Sequence, residues 1–173
     1  MKNLKNTVWV HYGSDKFDKT KFKIIYETKF GFPTKPHPKN GLWASKAGKK
    51  NYKYSWKWYS DIENFMSDSK IANKFFFKIK EYANIMWIEN KADYVHYFKQ
   101  HIPKNYFDKW LDGKFKWNFD WNSIIENYDG IYVAAGGKNK LIKFLFQGFD
   151  CDSINIFNPD IVIPVEYKAE YGY

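Results

Sequence analysis

Three short stretches carry residue types able to do chemistry together. The first, Trp9-Val10-His11-Tyr12-Gly13-Ser14, sets an imidazole at the end of a β-branched and aromatic run, with a glycine just beyond it. The second, Gly41-Leu42-Trp43-Ala44-Ser45, sets a large aromatic ring two positions before a hydroxyl. The third, Asp150-Cys151-Asp152-Ser153-Ile154, puts carboxylates at the entrance to an apolar run. Histidine donates and accepts hydrogen bonds near neutral pH, glycine lets backbone approach a ligand closely, and an indole stacks on a flat ring. Such a set could grip a nicotinamide. The chemistry such a grip suggests is the splitting of NAD.

Other constellations fall short of a mechanism. Gly136-Gly137-Lys138 lacks the flanking spacing, and the hydroxyl after lysine, that a phosphate-cradling loop requires, so it reads as a hairpin or strand exit. No ordering of Ser, His and Asp and no metal-ligand spacing stands out, and no metal is expected. His37, His96 and His101 read as structural, as do Trp56 and Trp58. Asp152 has a bland reading too, as a turn carboxylate beside Asp150. Lys49-Lys50-Asn51-Tyr52-Lys53-Tyr54 interleaves basic and aromatic residues as a single-strand binder would, although charge runs of this kind are usually solvated faces.

The elements that must position these residues are short. Val8 to Tyr12 reads as a strand feeding the turn at Gly13-Ser14-Asp15. Phe17, Phe22, Ile24 and Ile25 read as a packed loop or a second strand. From Phe30 to Lys50 the density of Gly and Pro excludes a long helix, leaving a loop with one strand, Gly41 to Ser45. Ser55 can cap a helix carrying Trp58, Ile62 and Phe65. Phe75 to Ile79 and Asn84 to Ile88 read as strands, and Tyr94, Val95, Phe98 and Ile102 as a helical stripe ended by Pro103. Asp120 can cap a helix with Ile124, Ile125 and Tyr128, followed by the strand Gly130 to Ala135. Leu141 to Phe146 fits either helix or strand. Ser153 to Phe157 and Ile161 to Ile163 read as strands about a turn at Asn158-Pro159-Asp160, with Pro164 marking a sheet edge. Short helices among short strands, with no repeating strand-helix unit, predict an α+β fold.

Size and charge bound the rest. The 173 residues fit one domain spanning 1–173, and 45% hydrophobic with 22% aromatic residues is ample for a core. The net charge is +9, and all 28 basic residues are lysine. A positive field attracts anions, but the bidentate fork that reads guanine belongs to arginine, so sequence-specific base reading is disfavoured. The single cysteine, Cys151, cannot make an internal disulfide. The start of the chain has no signal-like apolar run and no stretch is long enough to span a bilayer, which together with the lone thiol predicts a cytoplasmic protein.

His11-Tyr12-Gly13-Ser14 with Phe17, Lys35-Pro36 leading into Gly41-Leu42-Trp43-Ala44-Ser45, Ser55-Trp56, Tyr128-Asp129-Gly130-Ile131, and Asp150-Cys151-Asp152-Ser153-Ile154 with Asn158-Pro159 resemble motifs of small phage and bacterial proteins. Those proteins in turn look like ADP-ribosyltransferases of the histidine-tyrosine-glutamate class, which includes diphtheria toxin and the poly-ADP-ribose polymerases. The resemblance implies split, mostly antiparallel sheets with short peripheral helices. It implies that His11 binds a ribose hydroxyl of NAD, that Gly13 backbone faces the nicotinamide amide, and that Ser14 and Ser45 add hydroxyls at the pocket rim. It further implies that Trp43 stacks on nicotinamide with Tyr54 or Tyr12, and that Asp152 is the catalytic acid. Two departures stand out: Tyr12 separates the histidine from its glycine, and Asp152 is one methylene shorter than glutamate. The arginine-dependent transferase class is excluded because the chain has no arginine; Lys16, Lys21, Lys35 or Lys46 would meet the pyrophosphate.

The expectation is therefore a mono-ADP-ribosyltransferase that uses NAD as substrate and needs no metal. It would modify a host protein or nucleic acid as a phage or mobile-element toxin, defence factor or counter-defence factor. The alternatives are a non-catalytic basic and aromatic protein that recognises nucleic acid or a host nucleic-acid enzyme, and a protein that sequesters an NAD-derived messenger.

Overall fold

The computed structural model describes residues 4, 6–22, 41–64, 66–101, 121–136, 140–146 and 149–167. Its strands are β1 (Trp9–Tyr12), β2 (Leu42–Lys46), β3 (Lys74–Ile79), β4 (Ile85–Ile88), β5 (Gly130–Ala134), β6 (Asp152–Ile156) and β7 (Val162–Val165). Its helices are α1 (Trp56–Glu63), α2 (Asp68–Ala72), α3 (Lys91–Gln100), α4 (Trp121–Asn127) and α5 (Lys140–Leu145). The fold is mixed α+β. Leu141 to Phe146 resolves as helix, and the expectations for residues 23–40, Phe65, Ile102, Pro103 and Asp120 lie outside the described residues.

Local chemistry explains the helix starts. Ser55 has extended backbone and its side chain accepts from the Trp58 amide, satisfying one of the unpaired donors at the start of α1. Asn90 and Asp93 form a reciprocal capping box on α3. Two stripe residues point elsewhere than the periodicity suggests. In α3, Tyr94 and Phe98 are buried four residues apart, whereas Val95, about 100° round the helix, is 37% exposed. In α1, Ile62 is exposed.

All strands join one seven-stranded sheet in the order β4-β5-β6-β2-β1-β3-β7. The expected split into two sheets is bridged by β2, which pairs with β1 on one side and β6 on the other. Every pairing is antiparallel except β4 with β5, whose long connection contains α3 and α4. The sheet curls strongly. Trp9 on β1 and Trp87 on β4 are four strand spacings apart, about 19 Å on a flat sheet, yet their ring centroids are 6.3 Å apart. The concave face buries Trp9, Leu42, Ala44, Phe75, Phe77 and Ile154 among others. On the opposite face Met86, Ile88, Ile131 and Val133 pack under Tyr94, Phe98, Ile124 and Ile142 from three helices.

Both rims of the sheet are blunted. Pro164 in β7 has no N–H to offer, and on β4 the Trp87 amide donates to the Tyr97 hydroxyl at 3.4 Å.

Candidate functional site

The β1–β2 ladder registers Trp9 with Lys46 and Val10 with Ser45, and stops there. One residue further along, the His11 imidazole takes over the pairing: its Nδ1–H donates to the Trp43 carbonyl at 2.7 Å. That bond assigns the proton to Nδ1 and leaves Nε2 as an acceptor. Burial pushes the imidazole below its usual pKa, with the Trp43 bond opposing, so it is neutral at pH 7. Its ring lies against Phe75, 5.2 Å between centroids, on the concave side.

Gly13 follows at the strand exit with φ +102°, a backbone conformation that suits glycine. Its amide forks to the carbonyls of Asn73 at 2.7 Å and Lys70 at 3.1 Å, so the N–H is used inside the fold, tying β1 to the end of α2. Ser14 is equally local: its Oγ donates to the Lys16 carbonyl at 2.7 Å and accepts from the Lys16 amide.

Asp152 opens β6 and is gripped along its whole length. Its amide donates to the Tyr54 carbonyl at 2.7 Å, its carbonyl accepts from Ser45 Oγ at 3.2 Å, and its Oδ1 accepts from the Gly136 amide at 2.7 Å. Asp152 pairs with Ala134 on β5. Strand alternation puts it on the concave face with Ile154 and Ile156. Tyr54 has φ +70°, unusual for a residue with a side chain. Ser45 is wholly buried, and its hydroxyl also accepts from the Trp56 amide at 2.9 Å, which ties β2, β6 and α1 together.

His11 and Asp152 therefore share one face of the sheet. They stand two strand spacings apart, about 10 Å across the sheet, with β2 between them.

Trp43 and Tyr12 project from the opposite face. The Trp43 ring meets Phe149 edge-on at 4.9 Å and Trp56 at 6.4 Å, so only its carbonyl reaches His11. Tyr12 lines a small hollow with Tyr52, Ser55, Lys57, Lys74 and Phe76. The Tyr54 ring packs on Trp58 at 5.0 Å. The period-two pattern held the clue, since Leu42 and Ala44 face the concave core and Trp43 must then face away.

Sequence reasoning missed the aromatic group on the concave face. Trp87 and Tyr132 stack at 4.2 Å, and the Lys46 ammonium lies 4.5 Å from the Tyr132 ring and 5.1 Å from the Trp87 ring. Burial first, then the nearby Asp152 and Glu89 carboxylates, push the Tyr132 hydroxyl far above its ordinary range. Trp87 and Tyr132 are registered neighbours in parallel strands far apart in sequence, so no short motif contains them.

Among the described residues no group of His, Cys, Asp and Glu is arranged to hold a metal ion, and no helix is long and apolar enough to cross a membrane. What fold and site define is a mixed α+β chain with a neutral histidine and a clamped aspartate on the concave face of one curled sheet. Comparison with protein-family models, with curated proteins and with solved structures returns no match.

Proposed function

We propose that the chain is an NAD-dependent mono-ADP-ribosyltransferase acting on a host macromolecule. The observation that carries this reading is the common face of His11 and Asp152, on strands separated only by β2. His11 Nε2, as acceptor, suits a ribose hydroxyl. Asp152 supplies negative charge for the oxocarbenium-like state in which the C1′–N bond breaks and nicotinamide leaves with the electron pair. An acceptor nucleophile then bonds to C1′ and gives up its proton.

Incubation with labelled NAD and host lysate is expected to label a macromolecule. Asp152→Ala should lower the rate by about 10²–10³, the range for losing one preorganised electrostatic group, and His11→Ala should also lower it. NAD should raise the melting temperature, as a ligand confined to the native state must. A wild-type protein that neither transfers, nor hydrolyses NAD, nor is stabilised by it overturns the reading. Stabilisation by ADP-ribose or NAD without turnover would instead favour the sequestering alternative.

A further inference from the structure

We infer that Gly136 and Tyr54 are positioning residues that hold the Asp152 carboxylate in a single orientation on the concave face. This rests on the proposed function for its catalytic consequence, but the clamp itself stands on geometry. The Gly136 amide donates to Asp152 Oδ1 at 2.7 Å, and the Tyr54 carbonyl accepts from the Asp152 amide at 2.7 Å. One contact fixes the carboxylate and the other fixes the backbone from which it springs. Together they leave the side chain little rotational freedom.

Two features look costly unless that orientation is what matters. Tyr54 sits at φ +70°, where a residue with a Cβ is strained. Gly136 has no room for a side chain: a Cβ there would lie 2.2 Å from Tyr54 Cβ, 2.9 Å from Tyr54 Cγ and 2.8 Å from Asp152 Oδ1. Position 136 thus touches both the strained residue and the carboxylate. The Tyr54 side chain backs the Gly136 backbone, Gly136 backs the carboxylate, and the carbonyl of Tyr54 closes the ring on the Asp152 amide. A turn carboxylate needing only a local bond would not require contacts from Gly136, sixteen residues earlier and just past β5, from Tyr54 just before α1, and from Ser45 on β2; here three separate stretches converge on one acid.

The chemistry explains why rigidity at this acid would matter. A carboxylate that stabilises a developing cation acts best when it need not reorganise as the charge appears, and misplacement of a catalytic group by about 1 Å can cost on the order of 10² in rate.

Gly136→Ala in the full chain tests this. The expected result is a kcat for NAD cleavage at least tenfold lower with KM for NAD within twofold of wild type, together with a lower melting temperature. Adding Tyr54→Gly removes two of the three close contacts and the left-handed strain, but leaves the new methyl against Asp152 Oδ1. The double variant should therefore not regain turnover, and its melting temperature carries the further loss of Tyr54 packing on Trp58. A folded Gly136→Ala protein with kcat within twofold of wild type overturns the positioning role. A second readout is independent of NAD: in wild type the Gly136 amide proton should move downfield by NMR as pH rises through the carboxylate range, and in Asp152→Asn that movement should vanish. Loss of NAD cleavage in wild type with this titration intact rejects the proposed function and keeps the clamp, while a wild-type Gly136 amide that does not follow pH rejects the clamp.

Discussion

At the scale of single residues, His11 shows how one side chain can be both structural and poised for chemistry. Its Nδ1–H replaces a ladder bond to the Trp43 carbonyl, and burial lowers its pKa. The unfolded chain therefore binds a proton at this position more readily than the folded one. As pH falls from 7 through the usual histidine value of about 6.5 toward the lower folded value, stability is lost; above that window the full contribution is present. Thermal melts between pH 7.5 and 5 should show this decline, and His11→Gln, which removes the titrating group, should flatten that part of it. An unchanged slope in His11→Gln would place the titration elsewhere. The residue types at His11, Gly13 and Asp152 were readable in the sequence. Their partners were not, because a carbonyl on β2, two carbonyls at the end of α2 and an amide after β5 become neighbours only through pairing across the fold.

At the scale of elements, Ser45 joins three of them through one hydroxyl. Ser45→Ala leaves the part-buried Trp56 amide without that acceptor, at a cost of about 1–3 kcal/mol. A chain of this length should then melt roughly 2–4 °C lower for each kcal/mol. If Ser45 merely lined a surface, the melting temperature would not move. The sequence read most elements well where the signal was local: the β1 run, the Ser55 cap, and the proline that confines β7 to an edge. It was ambiguous for α5, whose apolar run Leu141 to Phe146 is too short for periodicity to decide between helix and strand. For Trp43 the motif and the strand pattern point in different directions. A ring in a motif attracts a functional role, yet alternation with Leu42 and Ala44 turns it toward Phe149 and Trp56, where it packs with the helices.

At the scale of the whole molecule, the curl of the sheet brings β1 against β4 and closes the concave core with Trp9, which touches both Trp87 and Tyr132. Trp9→Ala should cost about 3–5 kcal/mol, as for other large aromatic truncations in cores, and should weaken the near-ultraviolet circular dichroism of this aromatic cluster before helix content changes. A loss below about 1 kcal/mol would mean the two halves hold together without it. The curvature was not legible from the sequence, since it depends on which strands pair rather than on what each strand contains. The net charge of +9, carried wholly by lysine, was legible at once and bears on encounter with anions. If nucleic acid is a partner, affinity should fall steeply with salt, and a flat response would exclude a phosphate-driven complex.

The blunted rims have their own consequence. Because Pro164 withholds a donor at one border and the Tyr97 hydroxyl occupies one at the other, incoming chains find poor templates for docking backbone to backbone. Concentrated solutions should therefore resist the runaway polymerisation to which sheet-rich, aromatic-rich chains are prone.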